Sequence, residues 1–244
     1  MITGHNLVGG VWESNSNATT YKTVNPKTEE ILPSIFEAAN ASQIDIAIEA
    51  AAGSFETFAA TSFKTRIAFL KAIQKEIKAN SVEILSAFQV ESALPEGRAN
   101  GELQRTLDQI ERFVELLEEG SFIQATLNTN VLDLRKMLYP IGPIVVFGAS
   151  NFPLAFSTAG GDTISALAAG CPVVVKAHPY HAGTSELVAQ AIHLAIKKSK
   201  VPTEAFSHLG GQSHELGMSL VSHPLVKGVG FTGSFTGGKS LFDL

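Results

Sequence analysis

The 244-residue chain is 45% hydrophobic and 17% charged, which is ample for a packed core in one or two domains and unlike a disordered segment. A net charge of −5 offers no basic field to nucleic acid or to an acidic membrane surface. No run reaches the ~18 apolar residues of a membrane span, Met1 to Gly10 lacks the charged-then-apolar pattern of a leader, and a single cysteine rules out an internal disulfide, so a cytoplasmic setting is expected.

Residues 6–36 are rich in Asn, Thr and Gly. Val8, Val11, Val24, Ile31 and Ile35 are spaced like short strands joined by turns such as Asn25-Pro26-Lys27-Thr28, which predicts a small peripheral β-element. Helices follow. Ser42 with Asp45 is predicted to cap the first, ahead of Ile44, Ala47, Ile48 and Ala51. Ser62 precedes the second (Ile67, Leu70, Ile73, Ile77) and Ser81 the third (Ile84, Leu85, Phe88). Leu103, Leu107, Ile110, Val114 and Leu117 mark a fourth. Steps of three and four give each helix one apolar face, and such stripes are core far more often than cofactor sites. Within residues 124–138 apolar and polar residues alternate from Val131 on, which predicts an antiparallel excursion.

Tyr139 to Pro179 reads as a βαβ unit. Ile144 to Phe147 and Val173 to Val175 are continuous apolar runs, the pattern of strands buried on both faces of a parallel sheet. Between them Ser157 to Ala169 suits a helix packed close on the sheet, stopped by Gly170-Cys171-Pro172. A helix from about Thr184 to Lys198, a linker with Pro202, a helix near His214 to Ser222 and a strand within Val226 to Phe231 complete the chain. The fold class is therefore α/β, an open parallel Rossmann-like sheet with helices on both faces.

In such sheets ligands bind beyond the carboxyl ends of the strands. Those positions hold Gly148, Ala149, Ser150 and Asn151, then Lys176 and His178, then Thr232-Gly233-Ser234 followed by Thr236-Gly237-Gly238. A glycine-rich turn opening a helix presents N–H groups to phosphate, although such turns also occur with no ligand role. Neither loop has the G-x-G-x-x-G or P-loop spacing, which disfavours an ordinary Rossmann dehydrogenase and a P-loop NTPase. The dispersed histidines show no metal-ligand spacing.

As a set, Asn151-Phe152-Pro153-Leu154, Ala169-Gly170-Cys171-Pro172-Val173-Val174-Val175-Lys176 and Phe231-Thr232-Gly233-Ser234 with Gly238 resemble the aldehyde dehydrogenase superfamily. Phe147 to Pro153, Gly160-Gly161-Asp162-Thr163, Lys176 to Pro179 and the Glu91 to Arg98 segment are most similar to its α-ketoglutaric semialdehyde (2,5-dioxovalerate) dehydrogenase branch, although Ser92 and Ala93 depart from that pattern. The resemblance implies three regions. Residues 1–123 would be the amino-terminal β-element and helices of the cofactor domain, 124–138 part of an oligomerisation arm, and 139–244 the dinucleotide-binding core. It implies a small aldehyde substrate and NADP or NAD as cofactor. Asn151 would donate to the oxyanion. Ser150, Phe152 and Pro153 would border the cofactor, Phe152 also lining the aldehyde channel. Lys176 would reach the adenosine ribose or its 2′-phosphate. His178 would stand where NAD-preferring relatives carry a carboxylate, which tilts the choice toward NADP, although Pro179 is the alternative occupant of that position. Gly233, Ser234 and Gly238 would serve the pyrophosphate. Arg98 and Arg105 would either lie near the substrate mouth or be solvated surface groups.

The same resemblance places the general-base glutamate and the nucleophilic cysteine beyond the glycine-rich turn, in a catalytic domain absent from this stretch. Cys171 precedes the second strand, at the other end of the sheet from Asn151, and is expected to be a buried, inert apolar residue. These 244 residues are therefore expected not to oxidise aldehydes alone, and to self-associate or pair with a separate carboxyl-terminal chain. The rival readings are a non-catalytic nucleotide-binding or interaction module, and an unrelated α/β protein whose glycines are only turns.

Overall fold

The structure is a computed structural model that describes residues 1–130 and 132–244. In chain order it comprises β1 (Asn6–Val8), β2 (Val11–Glu13), β3 (Thr20–Tyr21), β4 (Phe36–Glu37), α1 (Ala41–Ala59), α2 (Phe63–Ala79), α3 (Ser81–Ser92), α4 (Glu96–Glu119), β5 (Thr126–Asn128), β6 (Leu134–Lys136), β7 (Ile144–Phe147), α5 (Gly161–Ala169), β8 (Val173–Lys176), α6 (Ala182–Lys197), β9 (Phe206–Leu209), α7 (His214–Ser222), β10 (Gly228–Phe231) and α8 (Phe235–Phe242).

The main sheet has the order β10-β7-β8-β9-β1-β2. Its first four strands are parallel, with Val145 paired to Val174 and to Val229, and Val174 paired to Ser207. The β-branched runs alternate between two buried faces. Val145, Val174 and Leu209 pack under α1 and α7, whereas Val146, Val173, Val175 and Phe206 pack under the layer built from α2 to α6. Each such side chain contributes about 1.5–3 kcal/mol by leaving water, so burial on both faces makes this sheet the organising core.

The amino-terminal β-element is not peripheral as its composition suggests. β1 pairs antiparallel with β9 and β2 with β1, so both extend the main sheet; only β3 and β4 stand apart as a two-stranded pair. Strand β9 was invisible in the sequence because Ser207 and His208 interrupt its apolar pattern, yet all four of its residues are buried. The predicted excursion is an antiparallel pair, β5 with β6, and Val131, from which its alternation was read, lies outside the described residues.

Helix ends moved where the capping chemistry differs from expectation. α1 is capped by Asn40 and Gln43 in a reciprocal capping box, not by Ser42 and Asp45. Ser62 caps α2 as expected, its side chain accepting from the Thr65 N–H. Ser81 is the first residue of α3, whose N-cap Asn80 makes no side-chain cap bond. α5 starts at Gly161 rather than Ser157, because residues 157–160 form turns. It ends as predicted at Gly170, whose φ of 96° is left-handed. A Cβ there would lie 2.7 Å from Arg66 Nη1, the group that donates to the Ala168 carbonyl at 3.0 Å. Gly170→Ala is therefore expected to destabilise by about 2 kcal/mol, read as a lower urea midpoint with an unchanged slope.

Candidate cofactor and oxyanion site

Because β10, β7 and β8 are adjacent and parallel, the loops at their carboxyl ends converge. Asn151 follows β7, Lys176 ends β8, and Gly233-Ser234 follows β10. Gly148 makes the turn out of β7 possible. Its N–H donates to the Lys176 carbonyl at 3.1 Å, and a Cβ on it would lie 2.8 Å from Ser157 Oγ and 3.3 Å from the His178 nitrogen. The loop then folds back on itself, the Ala149 N–H donating to the Phe156 carbonyl.

Ser150 and Asn151 are exposed, Phe152 is half-buried and Pro153 is buried. Ser150 and Asn151 open onto a cavity of about 430 Å³ shared with Val24, Leu94, Pro179 and Tyr180. The loop is anchored from below by a residue that sequence reasoning did not single out. Glu102 on α4 is 3% exposed; its Oε2 accepts from the Leu154 and Ala155 N–H groups at 3.3 and 3.4 Å, and its Oε1 from Arg98 Nε at 2.9 Å. A carboxylate in an otherwise apolar helix stripe was the one available signal.

Lys176 is half-buried beside Phe147 and Leu209 in register. Burial pushes its amine down to about 8, and among the described residues it has no hydrogen-bond or ion-pair partner. His178 lies next to it. Burial, with His181 and Lys176 nearby, pushes this imidazole down to about 4, so at neutral pH it carries no charge. Its Nδ1 accepts from the Tyr180 N–H at 3.3 Å. Beneath it His181 is fully enclosed, with Nε2 2.8 Å from the Ala149 carbonyl and Nδ1 3.0 Å from Ser185 Oγ. This second histidine, unremarked in the sequence, ties the Asn151 loop to the start of α6.

At β10, Ser234 is the N-cap of α8 and its Oγ accepts from the Gly237 N–H at 3.1 Å. Gly233, Gly237 and Gly238 each leave room for the Phe231 ring, which a Cβ would meet at 2.6, 3.2 and 3.2 Å. Phe231 meets Phe147 edge to face at 5.9 Å, completing an aromatic wall between Lys176 and α8. A half-buried ammonium without a partner, opposite a glycine-rich helix start, fits an anionic or hydroxyl-bearing ligand such as a dinucleotide. No group of three or more His, Cys, Asp or Glu is placed to hold a metal among the described residues, and no described helix is long and apolar enough to cross a membrane.

Cys171 is buried, two residues ahead of β8. It lines an apolar cavity of about 580 Å³ with Ile144, Gly228 and Tyr139, at the amino ends of the strands. The one thiol and Asn151 thus lie at opposite ends of the sheet.

The chain is 43% identical to alpha-ketoglutaric semialdehyde dehydrogenase 2 of Azospirillum brasilense, over its whole length and 48% of that protein. It is 41% identical to the alpha-ketoglutaric semialdehyde dehydrogenase of Acinetobacter baylyi, over 94% of the chain and 45% of the relative. The chain therefore spans about half the length of the curated relatives it matches. The structure superposes on succinate-semialdehyde dehydrogenase from Burkholderia pseudomallei with a TM-score of 0.85 at 28% identity, over 99% of this chain and 48% of that one. A betaine aldehyde dehydrogenase from Staphylococcus aureus shares the fold with a TM-score of 0.90 at 19% identity, over 100% of this chain and 48% of that one. The sequence model of the aldehyde dehydrogenase family matches residues 12–243, and the chain belongs to that family.

Proposed function

We propose that this chain supplies the dinucleotide cleft and the oxyanion donor of an NAD(P)-dependent aldehyde dehydrogenase that acts on a short carboxylated aldehyde such as α-ketoglutaric semialdehyde. The observation that carries this reading is the convergence of Asn151, Lys176 and Gly233-Ser234 at the carboxyl ends of three adjacent parallel strands. The dinucleotide, when bound, accepts the hydride. Within these residues the Asn151 amide donates to the oxygen that gains charge, an interaction whose loss typically costs ~10²–10³ in rate. Ser234 and the first-turn N–H groups of α8 face the pyrophosphate, with Gly238 keeping that turn close on Phe231. Ser150, Phe152 and Pro153 shape the loop beside it. The thiolate attack is not supplied here, because the one cysteine sits at the far end of the sheet.

Lys176 meets the ribose or its 2′-phosphate, and since neighbouring His178 is neutral near pH 7, Lys176 carries the charge alone. NADP is accordingly expected to bind more tightly than NAD, and Lys176→Ala to erase most of that preference, about tenfold or more for a charge-assisted contact. The ammonium is present below a pH of about 8 and lost above it, so the preference falls as pH rises through that value. Calorimetry of both nucleotides over roughly three pH units around that pKa decides the matter: equal affinities at every pH remove the assignment.

Two exposed surfaces support assembly. β10 is an edge strand, flanked by exposed Val229, Phe231, Phe235 and Phe242, and the β5–β6 hairpin presents Leu127, Leu132 and Leu134. Apolar side chains gathered in this way mark contact surfaces, in keeping with a homo-oligomer or with a carboxyl-terminal catalytic segment packed on β10.

A further inference from the structure

The loop that carries Asn151 leaves β7 with its backbone already committed. The Gly148 N–H donates to the Lys176 carbonyl and the Ala149 N–H to the Phe156 carbonyl. The Ala149 carbonyl is met by His181 Nε2 at 2.8 Å. Both polar groups of Ala149 are thus fixed, and only the exposed Ser150 separates that residue from Asn151. We infer that His181 is a positioning residue for Asn151: its imidazole, held in one neutral tautomer between Ser185 and Ala149, fixes the Ala149 peptide and so aims the amide two residues on. This rests on Asn151 being the oxyanion donor. Such a donor must lie about 2.7–3.1 Å from the oxygen that gains charge, and a misplacement of about 1 Å can cost on the order of 10²-fold in rate.

The tautomer follows from the partners. A carbonyl only accepts, so Nε2 carries the proton. A neutral imidazole has one N–H, so Nδ1 is bare and accepts from Ser185 Oγ at 3.0 Å. A buried helical serine often turns its hydroxyl back to the carbonyl four residues earlier; here it serves the ring of that residue instead. The charged form is disfavoured. His181 and Ser185 are 1% and 0% exposed, and burial, with Lys176 nearby, pushes the ring below its usual pKa. The neighbours His178 and His208 are also basic. Glu91, which lines the same cavity, gives its oxygens to Gly183 and Thr184. Orientation is fixed too. The His178 ring stacks on His181 at 5.5 Å with planes 25° apart, and a flipped imidazole would turn carbon atoms to both partners. The loop is therefore fastened at two ends, to α4 by Glu102 at Leu154 and Ala155 and to the start of α6 by His181.

Two amide substitutions separate the two contacts. In His181→Gln the side-chain nitrogen stands near the Nε2 position and can still donate to Ala149, whereas the shorter amide of His181→Asn reaches only the Nδ1 position and Ser185. The imidazole nitrogen shifts of the unaltered chain at neutral pH should show His181 as the neutral Nε2–H form. Hydrogen exchange of the Ala149 amide, referred to Val174 and Val175 in the next strand, should accelerate about tenfold in His181→Asn and far less in His181→Gln. Pentanal binding, measured by calorimetry, should weaken in His181→Asn and in Asn151→Ala, and the double variant should be no weaker than Asn151→Ala alone, because a donor already removed cannot be misaimed. A charged or Nδ1–H ring, equal effects of the two His181 variants, or additive losses in the double variant overturn the positioning role. The ring shifts need no substitution, so the inference can fail even where a variant does not fold. If Asn151→Ala leaves pentanal binding unchanged, or the unaltered chain does not bind pentanal, the oxyanion reading falls and the inference with it.

Discussion

Glu102→Ala is expected to lower stability by about 3 kcal/mol and to release the Asn151 loop from α4. The carboxylate is buried and serves three donors, two of them backbone N–H groups of the loop. Removing it leaves those donors without a partner in a site water does not reach and leaves the Arg98 cation with only its long bond to the Asn151 carbonyl. Loss of one member of a buried charge pair typically costs about 3–5 kcal/mol; the half-exposed arginine and the long loop bonds place this case at the low end. Glu102→Gln retains one acceptor oxygen and should lose roughly half as much. Urea denaturation measures the stability, and hydrogen exchange at Leu154 and Ala155 should accelerate in step with it. A loss below about 1 kcal/mol would mean that these N–H groups have found other partners.

Acidification should unfold the chain between about pH 6.5 and 4. Burial pushes His208 down to about 3 and, with His181 and Lys176 nearby, His178 down to about 4; His181 is also lowered, chiefly by burial. Each folded pKa lies below the unfolded value near 6.5, so in that interval the unfolded chain binds more protons. The stability is therefore fully present above about 6.5 and is lost progressively as pH falls toward the folded values. His208 has an unpartnered Nε2 among the described residues and is buried, with little exposed surface to relieve the charge. It should cost roughly 1 kcal/mol per pH unit; His181 acts in the same direction, while half-buried His178 contributes less because solvent screens it. Glu91 opposes the trend: burial raises its carboxyl, partly offset by hydrogen bonds from Thr184 and Gly183. His208→Gln should flatten the fall in urea midpoint below pH 6. An unchanged acid limb in that variant would assign the loss to carboxylates instead.

Much of the candidate site was legible because it depends on short patterns. The valine runs of β7 and β8 are continuous because both faces are covered, and Gly170 stops α5 because its φ is positive. Asn151, Lys176 and Ser234 became candidates from their places at or just after the ends of three such runs. β9 escaped because Ser207 and His208 read as polar loop, although the buried Ser207 Oγ accepts from the Gly9 N–H at 3.0 Å. A hydroxyl satisfied by a residue nearly two hundred positions away carries no local signature.

The sequence alone determined the βαβ core, the identity of the residues at its strand ends and the place of the lone thiol before β8, since each follows from hydrophobic period, turn chemistry or strand polarity. Tertiary structure alone decided that β1 and β2 complete the sheet, that Glu102 holds a loop some fifty residues downstream at 3.3 and 3.4 Å, that His178 is uncharged, and that Arg98 and Arg105 lie on Phe152 and Phe156. The physical reason is common to all four. Burial and pairing of polar groups depend on which distant segments meet, and free energies of desolvation and hydrogen bonding are set by those neighbours rather than by the residues' own sequence context.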